Sequence, residues 1–266
     1  MQRNHLFTYS PMHPCIYLSI LFSVALFLFF APPIFAISDI DIALYQKEIA
    51  DRPIGERIAF WAERFIGTLY DPDPLGEYVR KKLIVSDERV DCMYLSFRAL
   101  ELALSRTPEE AVEIALDKRF VTRGVMRDGR VLNYDERFQY GEDMLDSGKW
   151  GKEITSLVGK LSYIKGSRGR DMVAVISKED MLRLLREKRI HLNSGDFIYF
   201  VKSPEGRIID EIVGHIGIIK KEGNETFLIH AGGSKNKGGV VKKVSLLEYI
   251  ESMPFAGIRI GRFIDP

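Results

Sequence analysis

Three side chains in this sequence are of types that together can perform nucleophilic catalysis: Cys92, His215 and His230. A thiol that gives its proton to a neighbouring imidazole can attack a carbonyl carbon, and a further polar group then fixes which ring nitrogen is the base. The chain has 2 cysteines and 5 histidines. Cys15, His5 and His13 belong to an apolar N-terminal leader, and His191 follows a helical stretch beside Asn193, where a capping or surface role suits it. One thiol and two imidazoles remain.

Cys92 stands in RVDCMYLSFRAL, directly after Asp91, a favoured N-cap residue. Its sulfur is therefore expected in the first turn of a helix, where free N–H groups and the positive dipole end favour a thiolate. With a cation near, such a site lowers a cysteine pKa from about 8.5 to about 3.5–7.5. The same N–H groups can hold the oxyanion of a tetrahedral intermediate. The spacing also permits a plainer role. Cys92, Leu95, Ala99 and Leu102 share one helix face, on which a cysteine serves as a small core hydrophobe.

His215 and His230 flank GHIGIIKKEGNETFLIH, which has the pattern of a hairpin. With Glu222–Gly223 as its turn, the two histidines lie directly opposite each other. Opposed side chains share a face, with Cβ atoms about 4.5–5.5 Å apart. Ile216, Ile218, Phe227 and Ile229 then point to the other face and a core, while Gly217 leaves space beside the histidines. A slip of one residue would part the pair.

The elements that must position these groups read as helices first and strands later. Ile54–Ile66 sets Ile58, Trp61, Ala62 and Phe65 on one stripe and ends at Gly67; TLYDPDPLG after it is a loop. Asp91–Leu104 is a second amphipathic helix. Pro108–Lys118 is a third, with Thr107 as N-cap and acids in the first turn. Tyr140–Trp150 and Lys178–Lys188 also read as helices. From Asp196 the period becomes two, in DFIYFV, HIGIIKK, ETFLIHAG and GVVKKV, and Phe255–Phe263 is a closing strand. This order implies an α+β fold, with N-terminal helices packed on a C-terminal antiparallel sheet, and a single domain over residues 37–266.

At 266 residues, 46% hydrophobic and 28% charged, the chain has the composition of a folded globular protein. Lys+Arg is 38 against Asp+Glu 37, so no polyanion-binding surface is advertised and no nucleic-acid partner is expected. Residues 1–36 carry the apolar run Ile16–Ala31, with Arg3 before it and Asp39 and Asp41 after it. They read as a signal peptide cleaved after Ala36 or, if retained, as an N-terminal membrane anchor. Either reading exports the remainder to the periplasm or cell envelope, with membrane contact only through this segment.

DCMYL, GHIGII and IHAGGSKNKGGVV resemble the three motifs of the NlpC-type cysteine peptidases that cut bacterial cell-wall peptides. RIAFWAERFIGTLYDPDPLGE, RVDC, NYDERFQYGEDML and GHIGI resemble more specifically the N-acetylmuramoyl-L-alanine amidase-like branch of that superfamily. The similarity runs from Arg57 to Phe263. It implies a papain-like core with a half-barrel sheet, Cys92 as nucleophile, His215 as general base and His230 as orienter, with no cofactor and no metal. It places Tyr70, Asp91, Arg137 and Tyr140 at the substrate, a peptidoglycan fragment or muropeptide. Leu69 replaces the family's proline, Met93–Tyr94–Leu95 differ after the cysteine, and Met144 stands where tryptophan is common.

The implied reaction is hydrolysis of the N-acetylmuramoyl–L-alanine bond. The γ-D-glutamyl–diaminopimelate bond is the close alternative. Three other readings compete: a non-catalytic binder of wall fragments, a zinc site on Cys92, His215 and His230, and a papain-like acyltransferase. Zinc is disfavoured because no ligand-spaced partner lies near Cys92. No dedicated apolar segment supports the acyltransferase.

Overall fold

The computed structural model describes residues 37–264, so the expected leader lies outside the described residues. Helix α1 (Asp39–Ile49) starts at Ser38, whose hydroxyl accepts from the Asp41 N–H at 3.2 Å. Helix α2 (Ile54–Arg64) buries Ile58, Trp61 and Ala62, the stripe read from the sequence. A short strand β1 (Leu69–Tyr70), one turn of helix α3 (Glu77–Arg80) and strand β2 (Arg89–Val90) lead into α4 (Cys92–Leu104) and α5 (Pro108–Lys118). Asp91 caps α4 and Thr107 caps α5, as their side-chain chemistry predicts. Among the described residues no helix is long and apolar enough to cross a membrane.

Strands β3 (Met126–Arg127) and β4 (Arg130–Val131) form a separate hairpin. Helix α6 (Gly141–Asp146), β5 (Lys152–Glu153) and α7 (Thr155–Val158) follow it. Next come β6 (Ser162–Lys165), β7 (Met172–Ser177) and α8 (Lys178–Arg186), and then β8 (Phe197–Lys202), β9 (Val213–Glu222), β10 (Glu225–Ser234) and β11 (Gly238–Ser245). Helix α9 (Leu246–Ser252) and β12 (Phe255–Arg262) close the chain. The large sheet has the order β2-β1-β11-β10-β9-β8-β12-β7-β6, with β5 on β12. It is antiparallel except for β1 on β2, which makes it mixed rather than purely antiparallel.

Both faces of the sheet are buried. On one face Ile216, Ile218, Ile229 and Ala231 pack with Trp61, Leu95 and Phe97 of the N-terminal helices. On the other, Ile198, Phe200, Ile219 and Leu228 pack with Met181 of α8 and Leu246 and Ile250 of α9. The sheet therefore sits between the N-terminal helices and a second layer made of α8, expected from the sequence, and α9, which was not. Phe227 is only half-buried, contrary to its expected place in the core.

The hairpin that carries the histidines differs from expectation by one turn position. Its turn is Gly223–Asn224, with Glu222 paired to Glu225 and Gly223 at φ +57°. Glycine takes the first central position because a tight two-residue hairpin needs a positive φ there. Ile218 faces Ile229, and the same register continued sets Gly217 opposite His230. The pairing is thus displaced by two residues, which keeps every side chain on its expected face because the pleat repeats every two. The histidines become diagonal neighbours instead of directly opposed ones.

Helix α4 is fixed by two buried ion pairs. Arg98 meets Asp87 at 3.0 Å, and Asp87 also accepts from the Tyr94 hydroxyl at 2.7 Å. Arg119, just past α5, makes a bidentate contact with Glu101 at 2.5 and 2.7 Å. Such fork geometry constrains orientation as well as distance. The helix that presents Cys92 is therefore locked both axially and in rotation.

Candidate active site

Asp91 Oδ1 accepts from the Tyr94 N–H at 2.8 Å, which fixes the start of α4 and makes Cys92 its first residue. Cys92 borders a cleft of about 440 Å³ together with His215, Tyr70, Asp91, Arg137, Tyr140 and Lys235. The fold thus gathers every one of the expected site residues around one cleft except His230. That ring lies behind His215 and joins it through His215 Nε2 and His230 Nδ1, 3.0 Å apart. The two rings are nearly perpendicular, at 88°. With Nε2 engaged, Nδ1 is the nitrogen of His215 left for a thiol.

The electrostatics differ from the sequence expectation. Burial, followed by the Asp91 carboxylate, pushes the Cys92 thiol up to about 12; the Ile216 N–H, Lys235 and the residue's own N–H act in the opposite direction. A helix start alone favours a thiolate, but desolvation and an adjacent carboxylate outweigh it here. Burial, then its partner ring, lowers His215 to about 3, and burial, then Lys242, lowers His230 to about 4. At neutral pH the Cys92 thiol and both imidazoles are therefore uncharged.

Tyr70 forms one wall. Its ring lies against Gly233, where a Cβ would come within 2.5 Å of Tyr70 Cγ, so the second glycine of IHAGG makes room for it. Burial, then charge on Cys92, holds its hydroxyl well above the usual phenol range, so it stays a neutral donor. The buried Asp71 carboxylate accepts from the N–H groups of Asp73 at 3.0 Å and Glu77 at 2.6 Å, fixing the loop after Tyr70. Asp91 is primarily a cap, since its second oxygen meets Lys235 at 3.3 Å.

Arg137 and Tyr140 line the far wall. Arg137 donates to the Tyr134 carbonyl at 3.3 Å, and the Arg168 guanidinium covers the Tyr140 ring at 3.5 Å. Asp143 is engaged by Arg168 and Arg170. Glu142 is buried beneath, and its carboxylate accepts from the N–H groups of Ile212 at 3.2 Å and Val213 at 3.0 Å. It therefore pins the chain two residues ahead of His215.

Lys235, Tyr249 and Glu142 were not singled out from the sequence. Lys235 lies inside the quoted IHAGGSKNKGGVV motif, and Tyr249 follows Ser245 and Glu248, a Ser-x-x-Glu helix start that was readable. Among the described residues no group of three or more His, Cys, Asp or Glu side chains is placed to hold a metal ion.

Solved structures share this architecture. A structure of an N-acetylmuramoyl-L-alanine amidase from Bacteroides uniformis is 19% identical and matches with a TM-score of 0.60 over 80% of this chain and 99% of its own. Protein LPG0564 from Legionella pneumophila, of the DUF1460 family, is 18% identical with a TM-score of 0.62 over 86% of this chain and 94% of its own. A candidate xylanase from Bacteroides fragilis is 19% identical, at 0.56 over 77% and 100%. The likeness is one of fold. No protein-family model and no curated protein matches the sequence.

Proposed function

We propose that this chain is a cysteine-dependent amidase acting on peptidoglycan fragments, built on a papain-like core of the NlpC type. The observation that carries this reading is the His215 Nε2 to His230 Nδ1 contact beside the cleft that Cys92 borders. It supplies a nucleophile, a base and an orienter in one place. The name of the Bacteroides uniformis neighbour supports the N-acetylmuramoyl–L-alanine bond as the one cut.

The chemistry follows from the neutral resting pair. As the sulfur attacks the amide carbon, its proton passes to His215 Nδ1. The oxyanion is met by the Cys92 N–H at the helix start and by the neutral Tyr70 hydroxyl. The imidazolium then protonates the departing nitrogen, the C–N bond breaks, and the acyl group remains on sulfur as a thioester. Water, deprotonated by His215, attacks the thioester, releasing the acid and returning the proton to the thiolate. Residues 1–36 direct this domain to the periplasm or cell envelope, where such fragments arise.

Mass spectrometry of products from a defined disaccharide-peptide tests the proposal. A free muramoyl acid and a peptide with free L-alanine are expected, and Cys92→Ala should release neither. Cleavage at the γ-D-glutamyl bond would move the assignment to an endopeptidase. Binding without any product would make the protein a wall-fragment receptor.

A further inference from the structure

The charges that border the cleft are unevenly partnered. Its two carboxylates are engaged: Asp91 accepts from the Tyr94 N–H at 2.8 Å and meets Lys235, while Glu211 accepts from the Ile209 N–H at 2.9 Å and pairs with Lys202. Its two cations are less committed. The Arg137 side chain donates to the Tyr134 carbonyl at 3.3 Å, and among the described residues it has no carboxylate partner. Lys235 Nζ reaches the Asp71 carbonyl and Asp91 Oδ2, both at 3.3 Å. These contacts are longer than the usual N–H to oxygen distance of about 2.9–3.0 Å. An ammonium carries three protons, so a donor remains for a ligand.

Lys235 is also held in place. It stands in the turn between β10 and β11, where Asn236 takes φ +71° and donates its N–H to the Pro72 carbonyl at 3.3 Å. The hairpin tip is thereby pinned to the loop after Tyr70. The ammonium lies 5.5 Å from the centre of the Tyr70 ring, and the Lys235 side chain is 32% exposed. A cation fixed on a cleft wall with an unused donor loses little freedom on binding an anion. With Cys92 and the imidazoles uncharged, the ligand group that complements this cleft is a carboxylate.

In a muramoyl peptide cut next to L-alanine, the nearest carboxylate is the α-carboxylate of the iso-linked D-glutamate that follows. Two residues of extended peptide span about 7 Å, which keeps that carboxylate near the carbon under attack. Lys235 is correspondingly near the nucleophile, because it touches the residue before Cys92 and its charge acts on the sulfur. We propose that Lys235 is a specificity-determining residue that pairs with this α-carboxylate, so that the cleft selects D-isoglutamate over its uncharged counterpart, D-isoglutamine. This deepens the amidase reading and rests on it.

Two disaccharide-tripeptides that differ only in that group, one the free acid and one the amide, test the proposal. Full-length Cys92→Ala protein, which lacks the thiol, is titrated with each by calorimetry. The acid should bind about 10–100-fold more tightly, the scale of a hydrogen bond to a charged group. Adding Lys235→Met should bring the ratio of the two dissociation constants near one, whereas Lys235→Arg should keep the preference. Lys235→Gln serves if the methionine variant does not fold. The ratio separates recognition from structure, because a disturbance of Asp91 or of the hairpin tip weakens both ligands alike. With Cys92 restored, the preference should appear in KM rather than in kcat. Equal affinity for acid and amide overturns the proposal. So does a preference that survives Lys235→Met, which would assign the carboxylate to Arg137. A Lys235-dependent preference in a protein that releases no product overturns the amidase reading alone, and binding of neither ligand overturns both.

Discussion

A thiol held near 12 should be a poor nucleophile until substrate arrives, and its reaction with a small aromatic disulfide measures this. At pH 7 a thiol pushed up to about 12 has a thiolate fraction on the order of 10⁻⁵, against about 0.03 for a free cysteine at about 8.5. Each thiolate is more reactive in return. With a Brønsted slope of about 0.4–0.5 the gain over these pKa values is about 25–55-fold, which leaves Cys92 about 100-fold slower than free cysteine. Stopped-flow rates should rise about tenfold per pH unit from pH 7 to 10 without a plateau. Asp91→Asn keeps an N-cap but removes the negative charge beside the sulfur, so it should speed the reaction. A rate above that of free cysteine, flat between pH 5 and 8, would refute the reasoning, because it would require a thiolate already paired with an imidazolium at rest.

Three further outcomes follow from the same geometry. Arg98→Met leaves Asp87 buried and uncompensated, and should cost about 3–5 kcal/mol in denaturant unfolding. Glu142→Ala orphans the N–H groups of Ile212 and Val213 and should cost about 2–4 kcal/mol, with a fall in kcat because the chain ahead of His215 is released. His215 and His230 are held below the ordinary 6.5, at about 3 and about 4, so the unfolded chain binds more protons than the folded one in that window. Their contribution to stability is complete above pH 6.5 and declines as pH falls toward 3. Tm followed against pH should show this slope, and it should flatten in a His215→Gln, His230→Gln double variant.

The parts of the fold visible in the sequence were those fixed by local chemistry. Asp91 and Thr107 announce α4 and α5 because a capping oxygen acts within three residues. Strands β8 to β10 announced themselves by composition, and the histidine pair survived a misplaced turn because the displacement was even. The purely local view failed in three places. Tyr140–Trp150 reads as helical, but α6 ends at Asp146, and Gly148 takes φ +72°. Strands of two residues, such as β1 and β2, carry no periodicity to read. Ser245, Glu248 and Tyr249 formed a legible helix start, hidden because it follows a strand directly.

The site was legible as a set of residue types and not as an electrostatic environment. Cys92 at a helix start predicts a lowered pKa from its own turn alone. What reverses the sign is the desolvation that the closed fold imposes, followed by the Asp91 carboxylate next to it; β9, distant in sequence, brings the Ile216 N–H to the sulfur and acts the other way. Lys235 and Glu142 lie inside segments that carry the resemblance, but those segments do not say which side chains turn toward the site. Their roles appear only once the chain is closed.

The two guanidinium–carboxylate locks on the helix that presents Cys92 have an evolutionary implication. Losing either member of Arg98–Asp87 or Arg119–Glu101 strands a charge in a dry interior, whereas exchanging both for hydrocarbon of like volume is close to neutral. These positions should consequently drift as couples. Among descendants of this gene, position 98 ought to lose its arginine only where position 87 has lost its aspartate, with the same bookkeeping for 101 and 119.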